Sequence, residues 1–139
     1  MTASVTDQVA LDRIGQIAIN VKDLARAVRF YRDTLGMRFL FEVPNLAFFD
    51  CGGVRLMLSP AEKPEFDHPG SILYYKVADI NATFAALKGR DAAFIDEPHL
   101  IAKMPDHDLW MVFLKDPDEN LIGVMCEIPQ PDRPEFMPK

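Results

Sequence analysis

Three histidines, two cysteines and a set of polar residues on strand-like runs are the groups in this chain able to move protons, hold metals or act as nucleophiles. His99 and His107 lie in the segment PHLIAKMPDHDLW. Imidazoles titrate near neutral pH, so two that face each other would serve as acid and base. Either could also join Gln16 or Glu127 around a divalent metal ion. His68 sits beside Pro69 in a polar linker and reads as a surface residue. Asp106 and Asp108, on either side of His107, read as a solvated turn. Cys51 and Cys126 fall in apolar runs and read as buried, reduced thiols. The chain has no CxxC pair, zinc spacing, nucleophile elbow or phosphate-binding loop.

The polar strand residues fall into rows. Arg13–Val21 (RIGQIAINV) alternates as a strand does, with Ile17, Ile19 and Val21 on one face and Gln16, Ala18 and Asn20 on the other. The same period-two reading puts Arg55, Met57 and Ser59 on one face of a second strand. A third strand shows Ile72, Tyr74 and Lys76, and a fourth shows Gly123, Met125 and Glu127. The opposite faces are apolar and suit packing against helices. Polar groups on an inner strand face must be solvated or paired, because burying them alone costs several kcal/mol. The expectation is a wet cleft floored by Met57, Ile72 and Met125 and rimmed by Gln16, Asn20, Arg55, Tyr74, Lys76 and Glu127. Such a mixture suits a flat, partly hydrophobic ligand. Other readings stand beside it: Arg55, Lys76 and Glu127 as cross-strand ion pairs, Gln16 and Asn20 as partners of each other, and both methionines as core filling. Trp110 and Phe48 could line the cleft or stack in the core; for Trp110 the cleft or an interface is the leading reading.

The elements that position these rows come as a repeat. Asp23 and Asp79, 56 residues apart, each follow a Val at −2 and precede core-type residues at +1, +4, +5 and +8. An apolar strand precedes each copy and strand-like runs follow, so a duplicated βαβββ unit is expected. Each Asp stands where a helix N-cap belongs, and Gly36 where the first helix should stop. Strands are expected over Met37–Val43, Leu46–Cys51 and Val54–Ser59, with turns at Pro44-Asn45 and Gly52-Gly53. The second unit reads as a strand over Ser71–Val77, a helix from Asp79 to about Lys88, a short strand over Ala92–Ile95, an extended segment over His99–Met104, and strands over Leu109–Lys115 and Leu121–Ile128. Residues 13–59 form module one and residues 71–128 module two. Residues 60–70 form the linker, residues 1–12 a loose arm, and residues 129–139 a proline-rich arm.

With 139 residues, about half of them apolar, the chain is expected to form a single domain with a real core. A net charge of −6 argues against nucleic acid and anionic membranes as partners. The first twelve residues lack a signal peptide's apolar stretch, and no run is long enough to span a bilayer. A cytoplasmic location is the expectation.

The stretches IGQIAINVKDLARAVRFYRDTLGMRF, GGVRLML, VADI and WMVFLKDPDENLIGVM together resemble the vicinal oxygen chelate superfamily of glyoxalases, bleomycin-resistance proteins and extradiol dioxygenases. The resemblance implies an α+β fold, with tandem βαβββ modules forming a cupped, mixed eight-stranded sheet and helices on its outer face. It also implies a site on the concave face and a homodimer. Glu119 departs from the pattern, which usually has Gly there, so Glu119 or Asn120 is expected in an unusual backbone region. Metal-dependent members take ligands from four strand positions, which in this chain carry Gln16, Met57, Ile72 and Gly123. Only Gln16 offers a hard donor, and a thioether does not suit ions that prefer oxygen and nitrogen. The reading is therefore a small-molecule-binding protein with no metal and no cofactor. The alternative is a glyoxalase-like lyase, isomerase or dioxygenase with a rearranged metal or histidine-based site.

Overall fold

Two aspartates start the two helices in the same way. In the computed structural model, which describes residues 9, 11–61, 64 and 70–130, Asp23 is extended and its side chain accepts from the Arg26 N–H at 3.1 Å. Asp79 does the same for the Ala82 N–H at 3.0 Å. Each cap satisfies a donor that a helix's first turn leaves free. Helix α1 spans Leu24–Arg29 and α2 spans Ile80–Gly89. The first runs on into a π-helical turn, Phe30–Thr34, closed by the Leu35 N–H on the Phe30 carbonyl. A regular stripe through Leu24, Ala27, Val28, Tyr31 and Leu35 would leave Phe30 outside it. Across the wider turn Phe30 and Tyr31 are both buried, their rings edge to face at 5.2 Å. Gly36 ends the helix at φ 71°.

Strands β1 (Gln16–Asn20), β2 (Arg38–Val43), β3 (Leu46–Cys51) and β4 (Val54–Ser59) form one sheet in the order β1-β4-β3-β2. Strands β5 (Leu73–Lys76), β6 (Ala93–Phe94), β7 (His99–Lys103), β8 (His107–Lys115) and β9 (Leu121–Pro129) form the second, in the order β5-β9-β8-β6, with β7 also on β8. This is the tandem βαβββ architecture of two mixed sheets. The described residues hold nine strands rather than eight, because β6 and β7 both pair with β8. The modules match in register as well as in order. Ala18 lies opposite Met57 across the parallel β1–β4 ladder, and Tyr74, 56 residues on from Ala18, lies opposite Gly123 across the parallel β5–β9 ladder.

The helix-side rows make the core. Leu56, Leu58, Val112, Leu114, Ile122, Val124 and Cys126 are buried there with Tyr31 and Phe49. Burying each large side chain contributes about 1.5–3 kcal/mol. Trp110 belongs to this layer: it shares the parity of Val112 and Leu114 on β8, pairs with Cys126 and packs against the core. Of the two readings of this tryptophan, its strand face favours stacking on the core over lining the cleft. Cys126 is buried as expected, whereas Cys51 is only partly buried.

The turn after β8 does more than reverse the chain. Asp116 is 5% exposed. Its Oδ1 accepts from the backbone N–H groups of Asp118 and Asn120, at 2.8 and 2.9 Å. Its Oδ2 accepts from the Asn120 side-chain amide at 2.8 Å and from the Tyr31 hydroxyl of module one at 2.9 Å. Asn120 also donates to the Asn20 carbonyl, and Asp118 accepts from the Lys22 N–H and the Arg26 guanidinium. The turn therefore latches module two onto the β1–α1 junction. The backbone strain falls at Glu119, with φ 65°.

Most of the expected arm over residues 1–12, most of the linker including His68, and the tail over residues 131–139 lie outside the described residues. No helix among the described residues is long and apolar enough to cross a membrane.

Candidate functional site

The face of module one turned away from the helices is built from Gln16 on β1, Arg55 and Met57 on β4, Phe48 on β3 and Phe41 on β2. Gln16 stands opposite Arg55, and Phe48 stands opposite both Met57 and Phe41. The Arg55 Nε donates to Gln16 Oε1 at 2.9 Å, and its guanidinium lies over the Phe48 ring at 5.7 Å. The Phe41 and Phe48 rings stack with a tilt of 32° and centroids 4.7 Å apart. Phe41 is 48% exposed, so the row presents an open aromatic surface ending in a cation. Gln16 does not pair with Asn20; its amide N–H points at the Met57 sulfur, 3.7 Å away.

The matching face of module two carries Tyr74 and Lys76 on β5, Gly123, Met125 and Glu127 on β9, and Met111 and Phe113 on β8. Tyr74 meets Phe113 edge to face at 5.8 Å, and its ring packs closely against Gly123. A Cβ on Gly123 would come within 2.6 Å of the Tyr74 ring. Tyr74 is 44% exposed, so the ring has room to swing outward. Gly123→Ala is therefore expected to displace Tyr74 and break its contact with Phe113. The loss in chemical denaturation should be modest, about 0.5–1.5 kcal/mol, with a changed near-ultraviolet tyrosine signal. An unchanged signal would show that the ring does not rest on the glycine.

Lys76 donates to Glu127 Oε1 at 2.8 Å, forming the cross-strand ion pair that was one reading of these residues. The other Glu127 oxygen lies 3.6 Å from His107 Nε2, and His107 Nδ1 lies 2.7 Å from Asp106 Oδ1. Hydrogen bonding to Lys76 holds the Glu127 carboxyl below its ordinary range, and hydrogen bonding to His107 does the same for Asp106. His107 thus sits between two ionised carboxylates. His99 is elsewhere. It pairs with Met111, four residues along β8 from His107, or roughly 13 Å at strand rise. Its Nδ1 is 2.8 Å from the Glu97 carbonyl. The two imidazoles do not form the facing acid–base pair that their spacing allowed.

Two open cavities lie between the modules. A cavity of about 490 Å³ follows the seam between β1 and β5, lined by Ala18, Asn20, Tyr31, Ile72, Tyr75 and Asn120 among others. A second, of about 320 Å³, lies between Met37, Cys51, Tyr75 and Leu87. Of the polar rim residues named from the sequence, only Asn20 reaches the seam cavity. Burial and the charge of Asp50 push the Cys51 thiol pKa up, which disfavours a reactive thiolate.

The model of the Glyoxalase/Bleomycin resistance protein/Dioxygenase superfamily matches residues 13–124. The chain belongs to this superfamily. Its similarity to the metallothiol transferase FosB of Staphylococcus epidermidis is 28% identity over 109 residues, covering 78% of this chain and 63% of FosB. The chain therefore spans less than two thirds of that relative's length. YraH of Bacillus subtilis (strain 168) is 27% identical over 126 residues, covering 78% of this chain and 94% of YraH. The crystal structure of TnmS3, an antibiotic binding protein from Streptomyces sp. CB03234, matches with a TM-score of 0.69 at 25% identity, covering 86% of this chain and 98% of TnmS3.

This glyoxalase-superfamily chain does not offer a matching donor set at the four ligand positions. Met57 supplies a thioether, Ile72 an alkyl group and Gly123 only hydrogen beneath the Tyr74 ring. The remaining donor, Gln16 Oε1, already accepts from Arg55, whose positive charge would oppose a divalent ion there. Among the described residues, no group of three or more His, Cys, Asp or Glu side chains could hold a metal.

Proposed function

We propose that this superfamily member binds a small, partly hydrophobic molecule on its concave face and needs no metal to do so. One observation carries the reading. Where the superfamily resemblance implies a metal and its ligands, the chain has a guanidinium hydrogen-bonded to Gln16 and a tyrosine ring over Gly123. Half-exposed aromatic rings flank both, which is the lining a flat organic ligand requires. The similarity to TnmS3, an antibiotic binding protein, supports a role in holding a molecule rather than transforming it.

A second reading rests on His107. An imidazole between two carboxylates, beside a lysine and on the same face, can take and return a proton. In that case the chain would be a lyase or isomerase of the superfamily working through His107 and Glu127.

The test uses protein purified without a polyhistidine tag and dialysed against a chelator. It should contain no stoichiometric divalent ion before dialysis. Afterwards it should still be stabilised by compounds from an aromatic and acyl set. A ligand present at 100 times its Kd adds about 2.7 kcal/mol, a shift of several degrees in melting midpoint. Retained metal, or stabilisation that vanishes with the chelator and returns with metal, would overturn the proposal. Turnover of a bound compound that is lost in His107→Gln would establish the second reading.

A further inference from the structure

The charges of the concave face are unevenly matched. Lys76 is neutralised by Glu127 at 2.8 Å. Arg55 has no carboxylate within ion-pair distance among the described residues. The carboxylate of its cross-strand neighbour Asp50 faces other groups: one oxygen accepts from the Gly53 N–H at 3.2 Å and the other lies 3.9 Å from Arg38. Arg55 is nevertheless held in place. Gln16 Oε1 fixes its Nε, and the Phe48 ring supports the guanidinium plane. With Nε taken, the two terminal nitrogens remain to donate as a fork, the geometry that matches a carboxylate. The rings of Phe48 and half-exposed Phe41 extend from the guanidinium across β3 and β2.

We propose that the ligand is an aromatic carboxylate, its acid group held by the Arg55 fork and its ring lying on Phe41 and Phe48. This rests on the concave-face reading above and gives it a chemical class. In a protein of net charge −6, a cation with no ion-pair partner among the described residues, beside a part-exposed aromatic surface, selects for an anion at that point and against a neutral or basic analogue. Arg55 supplies locally the positive charge that a metal would have supplied, without an open coordination site. The predicted chemistry is capture of the acid as it stands.

The probes are 2-naphthoate and the neutral 2-naphthamide, titrated calorimetrically into the full chain. The acid should bind at least about tenfold more tightly than the amide, the usual worth of a charge-assisted hydrogen bond. That preference should shrink as salt is raised. In Arg55→Gln the preference for the acid over the amide should disappear. Arg55 is exposed, so this variant should stay folded, with a melting midpoint lowered by only a few degrees. Equal binding of acid and amide to the wild type, or a preference that survives in Arg55→Gln, would overturn the arginine anchor and leave the broader binding reading standing. If neither compound binds, the aromatic-acid class is wrong. If, in addition, no compound of the wider set stabilises the protein, the binding reading falls with it.

Discussion

Asp116→Ala should cost this domain about 3–5 kcal/mol, a large part of the roughly 5–15 kcal/mol that holds a domain of this kind together. Asp116 is a buried carboxylate with no cation beside it among the described residues; four hydrogen-bond donors stand in for one. Truncation strands the Tyr31 hydroxyl, which is 0% exposed and whose hydrogen bond goes to the Asp116 carboxylate. A buried donor left unpaired costs about 1–3 kcal/mol. The same change frees the turn that holds Glu119 at φ 65° and brings Asp118 to Lys22 and Arg26. The modules would lose their latch along with the turn. Urea denaturation should show the loss directly, and the melting midpoint should fall by roughly 10 °C or more. Tyr31→Phe removes one donor of the four and should cost only about 1 kcal/mol. If Asp116→Ala proves as mild as Tyr31→Phe, the latch does not stabilise the domain.

The repeat made most of the fold readable. A Val-x-Asp start, an apolar stripe and a terminating glycine each carry local physics, so both caps and Gly36 could be placed without tertiary knowledge. Period two gave the faces of β1, β4, β5 and β9 because each alternates polar with apolar residues. It is silent on β8, where LWMVF is apolar on both faces, so the sequence leaves the face of Trp110 open. The π-helical turn was hidden for a related reason. Phe30 and Tyr31 are neighbours and both apolar, so a 3.6-residue period fits the stripe with either one inside.

At the site, residue types were legible and pairings were not. The sequence shows that Met57 and Gly123 cannot hold a hard cation. It cannot show that Arg55 takes the Gln16 oxygen, or that Tyr74 covers Gly123, because both contacts join residues far apart in the chain. The histidines failed for a similar reason. The β7–β8 hairpin closes at Met104 and His107, so His99 and His107 sit at different heights on it despite flanking one short segment. The Asp116 turn read as a tight bend, and its role as a latch depends on Tyr31, 85 residues earlier in the chain.

The interface between modules should also make the protein sensitive to alkali. Burial, and then the charge of Asp116, push the Tyr31 pKa far above the ordinary phenol value. Burial, and then Cys51 and Asp116, push Tyr75 up as well. A phenol raised in the folded state leaves stability untouched below the unfolded value of about 10, and reduces it as pH climbs beyond that. Each tyrosine should remove about 1.4 kcal/mol per pH unit in that window, so roughly 3 kcal/mol is lost by about pH 11. Cys51 is also raised and adds in the same direction from about pH 9, but its greater exposure keeps its share small. Tyr75→Phe isolates one contribution. The Tyr75 hydroxyl has no hydrogen-bond partner among the described residues, so its removal should not weaken the protein at neutral pH. The same variant should lose stability about half as steeply above pH 10. Urea midpoints followed across this range decide the matter: a curve that stays flat to pH 11 would mean that neither phenol is held neutral by the fold.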